Sequence, residues 1–94
     1  MPYGAHRHGD LRTCGATTIV NNQTTVFVNG KLWAVKDDTN THSDGGLINS
    51  GTTVFIEGKP VIVIGDTAKV DGQGHSGSAD AASSGSGDVF AYGG

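Results

Sequence analysis

The chain writes one strand-and-turn unit twice, and completes a third copy only when its two ends are read as one continuous segment. Thr24-Thr25-Val26-Phe27-Val28-Asn29-Gly30-Lys31 recurs 28 positions later as Thr52-Thr53-Val54-Phe55-Ile56-Glu57-Gly58-Lys59. Each octet is β-branched and aromatic, ends in a turn pair and leads into a second short strand that closes near an Asp. Asp88-Val89-Phe90-Ala91-Tyr92-Gly93-Gly94 copies the strand and the turn and then stops. The missing half stands at the N-terminus, where Ala5-His6-Arg7-His8-Gly9-Asp10 aligns with Val61-Ile62-Val63-Ile64-Gly65-Asp66. Units this small cannot bury a face alone, and about three are needed for a core. Three hairpins with the first strand paired to the last close around a pseudo-threefold axis and hide their strand edges.

Sixteen glycines, 35% apolar residues and no sustained 3.6-residue period predict an all-β chain. At 94 residues it reads as one domain over positions 1 to 94, in the size range where the core is marginal and a staple is common. Alternation predicts a core of Val26, Val28, Val54, Ile56, Ile62, Ile64 and Val89, with Phe27, Phe55 and Phe90 on the other face. Ser76 to Gly87 is almost entirely Gly, Ser, Ala and Asp, and reads as a flexible connection with nothing to bury. The net charge is −3 and the six cationic residues are scattered, which argues against nucleic acid or an anionic membrane as partner. There is no apolar run long enough to span a bilayer, and Met1-Pro2-Tyr3-Gly4 leads into no signal-peptide core. The expectation is a soluble protein made in the cytoplasm without a leader. Its single Cys excludes an internal disulfide, so the staple must be something else.

Aligned on Asp10, Asp38 and Asp66, the loops that follow carry Cys14 and His42 four positions on, and His75 nine positions on. Three loops related by a threefold axis would thus each bring one thiolate or imidazole to a common point. Those donors suit zinc, and a closed structural zinc site is tetrahedral with four. His8 is the expected fourth ligand, with His6, on the same strand face, the alternative. Asp71 is a further candidate, an oxygen donor being less usual at a structural zinc. Iron is the second choice of metal. No nucleophile elbow appears, and Gly72-Gln73-Gly74 opens no helix that could cradle a phosphate, so no enzyme is expected.

The repeated strand, the Asn-Gly or Glu-Gly turn, the Gly-Lys-Pro start of the second strand, the Gly-Asp and the Cys or His loop resemble the PAAR-repeat family. The resemblance covers all but Ser76 to Gly85. Gly58-Lys59-Pro60-Val61-Ile62-Val63-Ile64-Gly65-Asp66 keeps the frame but has Val-Ile-Val where the family favours Ala-Ala-Arg, and only Arg7 occupies the Arg position. The resemblance implies a small conical fold with a metal near its apex, set as a monomeric cap on the trimeric β-helical spike of a contractile phage tail or type VI secretion system, VgrG-like in the latter. One cap per trimer, transient contact with the target membrane, and residence at the tip of the tail or secretion apparatus follow. Strand direction puts the docking face opposite the metal loops, at Asn29, Gly30, Glu57, Gly58, Gly93 and Gly94. Two rival readings are a small metal-dependent enzyme with an open coordination position, and a homotrimer binding iron through His6 and His8 of three chains. The internal threefold repeat argues against the second.

Overall fold

The computed structural model describes residues 2–48 and 54–92, which form an all-β molecule built from very short strands. These are β1 (Pro2–Gly4), β2 (Thr18–Ile19), β3 (Phe27–Val28), β4 (Lys31–Leu32), β5 (Thr39–Asn40), β6 (Phe55–Ile56), β7 (Lys59–Pro60) and β8 (Phe90–Tyr92). β3 pairs with β4, β6 with β7 and β1 with β8, all antiparallel. The registers Phe27↔Leu32, Phe55↔Pro60 and Gly4↔Phe90 are equivalent, so the chain termini do make up the third hairpin. In the two continuous hairpins the turn residues take left-handed φ, 53° and 80° at Asn29 and Gly30, 52° and 81° at Glu57 and Gly58. Such turns match the right-handed twist of the flanking strands.

Each hairpin runs on into a segment that belongs to a closed ring. Arg7 bridges Trp33, Val35 bridges Val61 and Val63 bridges Ala5. At the centre the backbone bonds form a cycle: His6 N–H donates to Ile62 O, Ile62 N–H to Ala34 O, and Ala34 N–H to His6 O, at 3.1, 2.9 and 2.8 Å. No edge is left open inside this ring, which removes the usual hazard of short strands. Each ring segment ends in the same turn. The Asp10, Asp38 and Asp66 carboxylates accept the N–H of Arg7, Val35 and Val63 at 2.8, 2.8 and 3.0 Å. The residue before each, Gly9, Asp37 or Gly65, has φ of 84°, 73° or 98°.

One core cluster joins Ala5, Val28, Trp33, Val35, Ile56, Val61, Val63 and Ala91, and a second joins Val20, Ala34, Leu47, Ile62, Ala68 and Ala82. Val28, Ile56 and Ile62 are buried as alternation predicts, and Phe27, Phe55 and Phe90 face outward. Val26 and Val54 depart from the expectation, being 36% and 40% exposed. They lie one residue before each two-residue strand, where the carbonyl still accepts an N–H, from Trp33 and Val61 at 3.1 and 3.0 Å, while the side chain reaches the surface. Ile64 and Val89 are only partly buried.

The segment expected to be a tether with nothing to bury is packed. It carries a 3-10 turn at Ser78–Asp80, and Asp80, Ala81, Ala82 and Ser86 are buried. A Cβ on Gly85 would come within 2.6 Å of Ala5 O, so the small residues here are a condition of close packing. Among the described residues no helix is long and apolar enough to cross a membrane.

Candidate metal centre

Three loops leave the ring from the Asp turns. Each opens with a tight turn closed by the same two backbone bonds: Arg12 N–H to Ala16 O, Asn40 N–H to Asp44 O and Asp71 N–H to His75 O, then Gly15, Ser43 and Gly74 N–H back to Arg12, Asn40 and Asp71 O. Arg12, Asn40 and Asp71 are therefore equivalent, and Cys14 and His42 occupy one turn position in which the third loop has Gln73. Asp71 follows Asp66 by five positions, where Arg12 and Asn40 follow their Asp by two. His75 thus reaches the common point from two residues further along its turn, and not from the position equivalent to Cys14.

Four potential donors converge. One atom each from Cys14, His42, Asp71 and His75 lies within 4.8 Å of all the others. Asp71 Oδ2 is 3.3 Å from His42 Nδ1, 3.2 Å from His75 Nδ1 and 4.0 Å from Cys14 Sγ, while Sγ is 3.8 Å from His42 Nδ1. Zinc bonds of about 2.0–2.3 Å at tetrahedral angles set ligand atoms roughly 3.3–3.8 Å apart, so this donor set fits such an ion with small adjustments. The fit is chemical as well: one thiol, two imidazoles and one carboxylate, half-buried or buried, come from all three repeats.

Asp71 is held rigidly. Its Oδ1 accepts the N–H groups of Gln73 and His75, both at 2.9 Å, and its Oδ2 accepts Asn40 Nδ2 at 3.0 Å. Burial alone would raise its pKa, but these donors, led by the His75 N–H, hold it well below the usual carboxylate range. The Cys14 thiol is pushed up, first by burial and then by the neighbouring Asp80 and Asp71 carboxylates. A cation among these groups would reverse that preference, since a coordinating thiol is deprotonated.

The expected fourth donor lies elsewhere. His8 is exposed, and its Nδ1 accepts the Val20 N–H at 3.0 Å. His6 is fully buried with both ring nitrogens in use, Nδ1 at 2.7 Å from Ser84 O and Nε2 at 2.6 Å from Thr18 Oγ1. A carbonyl only accepts, so Nδ1 carries the proton and Thr18 donates to Nε2. The fourth group in the cluster is Asp71 and not His8; Asp71 opens the turn of the third loop, where Arg12 and Asn40, at the equivalent positions, lie outside the cluster. Alignment on that turn sets Asp71 level with Arg12 and Asn40 and so does not mark it as a donor; the sequence signal for it is an acidic residue four positions before His75 in the same loop.

At the hairpin end, Asn29, Gly30, Glu57 and Gly58 are exposed, and Gly93 and Gly94 lie outside the described residues. Phe27, Phe55 and Phe90 are exposed at equivalent positions of the three hairpins, by 59%, 60% and 51%. Arg7 clamps Asp10 at 2.8 Å and reaches Asn29 Oδ1 at 3.1 Å, tying the Asp turn to the hairpin turn. Buried Val35 and Val63 stand at the equivalent positions of the other repeats.

The family model described as PAAR motif matches residues 8–76. Comparison with curated proteins returned no match.

Proposed function

This chain belongs to the PAAR motif family, and from that membership we propose that it is the structural tip capping the spike of a contractile injection machine, stapled at its apex by one zinc ion. The observation that carries the reading is that a single chain builds a closed threefold ring and sends one donor-bearing loop from each repeat to one point. Cys14, His42, Asp71 and His75 would hold the metal, whose contribution is a cross-link between loops and not a reaction. Breaking such a site costs metal-binding free energy in addition to packing, which stiffens the point where load concentrates.

The other end of the ring fits a docking role. The hairpin turns and the donor loops leave each ring segment at opposite ends, and the hairpins carry Phe27, Phe55 and Phe90 at equivalent exposed positions. Three similar faces on one chain can meet three subunits of a trimeric β-helical spike, each repeat against one subunit, which resolves the mismatch between one cap and three chains. Native mass spectrometry of the cap mixed with a trimeric spike fragment tests the reading. One cap carrying one zinc per spike trimer is the expected mass, and three caps per trimer would overturn the axial arrangement.

A further inference from the structure

Asp80 is fully buried in the segment whose composition suggests a tether. It sits at the end of the 3-10 turn, and Thr13 anchors that turn: Thr13 Oγ1 donates to Ser78 O at 2.7 Å and accepts Ala81 N–H at 3.0 Å. Asp80 Oδ1 is 3.0 Å from Arg12 Nη1, 2.9 Å from Asn40 Nδ2 and 3.3 Å from Cys14 Sγ. One carboxylate oxygen therefore stands between a buried guanidinium and the thiol. The other contacts of Arg12 are with carbonyls and a hydroxyl: Nη1 also reaches Gly45 O and Asp80 O, Nη2 donates to Asp38 O and Nε to Thr18 Oγ1, so Asp80 is the one carboxylate it pairs with among the described residues. Asn40 extends the arrangement, since Nδ2 reaches Asp71 Oδ2 at 3.0 Å as well as Asp80, and its Oδ1 accepts His42 N–H at 2.8 Å. Gly45 seals the group: a Cβ there would lie 2.6 Å from Asp80 Oδ2 and 2.7 Å from Asn40 Nδ2.

We propose that Asp80 is a positioning residue for the metal, holding Arg12 away from Cys14 and Asp71 so that both anionic donors remain available to the cation. The proposal rests on reading Cys14, His42, Asp71 and His75 as a metal site. An unpaired buried guanidinium must find an anion, because an isolated charge in that environment is costly. Beyond Asp80 stand the Cys14 sulfur, 3.3 Å from its Oδ1, and the Asp71 carboxylate, joined to it through Asn40 Nδ2, so without Asp80 Arg12 would compete with the metal for them. With Asp80 in place, the Arg12 guanidinium and its counter-charge form a neutral floor under the donors, and Asn40 carries the alignment across to Asp71 and His42.

The test is a zinc titration of the full chain against a chromophoric chelator, with cobalt(II) spectra in parallel, on wild type, Asp80→Asn and the double variant Arg12→Gln with Asp80→Asn. Loss of a group that orients metal ligands lowers affinity about 10- to 100-fold, and that is the loss expected for Asp80→Asn, with altered cobalt d–d bands. The double variant removes the competitor, and is expected to recover binding to within a few-fold of wild type. It also leaves no unpaired buried charge, so its affinity decides the matter if the single variant does not fold. Asp80→Asn with unchanged affinity and spectrum, or a double variant bound more weakly than about tenfold below wild type, overturns the proposal. Wild type that takes up neither metal overturns the metal site itself, and the role of Asp80 with it.

Discussion

His6 stands where Ala34 and Ile62 stand in the other repeats, at the axis of the ring, and its chemistry there is that of a neutral imidazole. Arg12 Nε–H donates to Thr18 Oγ1, Thr18 donates to His6 Nε2, and His6 Nδ1–H donates to Ser84 O. A second proton on the ring would force Thr18 Oγ1 from donor to acceptor, leaving its own hydrogen without that partner, and would place a charge in a fully buried site. Burial therefore lowers its pKa from 6.5 to about 4, against the opposing pull of Ser84 O. The unfolded chain takes up the proton first as pH falls, so the stability His6 contributes is intact above about pH 6.5 and is lost between there and about pH 4. The loss is on the order of 3 kcal/mol. Denaturant titrations of metal-free protein across that range should show it, and His6→Asn should be less stable near neutrality but flatter with pH. A variant with the wild-type slope would assign the acid sensitivity to the carboxylates. The sequence shows His6 as one of two alternating histidines and gives no hint of which is buried, because the answer depends on Thr18 and Ser84, distant in sequence from each other. Cys14 and His42 are legible because their spacing repeats. Asp71 and Asp80 are harder to see, since the positions equivalent to Asp71 hold Arg12 and Asn40, and Asp80 lies in a stretch of low complexity.

Elements of two or three residues cannot hold themselves together by local hydrogen bonds, so turns and close approaches set their stability. Gly30 and Gly58 have φ near 80°, and a Cβ at either would meet nothing within 4 Å. Gly30→Ala and Gly58→Ala should therefore cost the same conformational penalty, about 1–2 kcal/mol each. Gly45→Ala should cost clearly more, because its Cβ would also collide with Asp80, Asn40 and Asp71. Chemical denaturation of the three variants measures the difference, and equal losses at all three would mean that the Gly45 approach relaxes freely. Hairpins of this kind are written into the chain as Asn-Gly and Glu-Gly preceded by β-branched residues and followed by Lys, and so is the repeat that places them. The extent of each strand is not, which is why Val26 and Val54 reach water while Val28 and Ile56 are buried. Composition misleads most at residues 76 to 87: Gly, Ser and Ala are the residues of a tether, but also of a segment laid tightly over another backbone.

In the whole molecule the donor atoms stand beyond the ring and are joined to it through Arg12 and Thr18, so the contribution of a bound metal is measurable on top of that of the fold. The cyclic bonds among His6, Ala34 and Ile62 take one residue from every repeat, so no repeat can leave without breaking the ring. Unfolding should accordingly be a single cooperative transition, with or without metal. The donors all stand on loops beyond the Asp turns, and Arg12, Asn40 and Asp80 remain bonded to one another beneath them. On the proposed reading of the donor cluster, removing the metal should therefore leave the β structure intact while lowering the unfolding temperature. Binding only to the folded chain at a thousandfold excess over Kd stabilises by about 4 kcal/mol. For a domain of this size each kcal/mol moves the midpoint by about 4–8 °C, so the expected drop on chelation is on the order of 20 °C. Calorimetry of zinc-loaded and chelator-treated protein reads it, and Cys14→Ser should give the lower midpoint with no further drop on adding chelator. If chelation abolished the transition instead, the ring could not stand without its apex, and the metal would be a requirement for folding, not a staple on a finished fold.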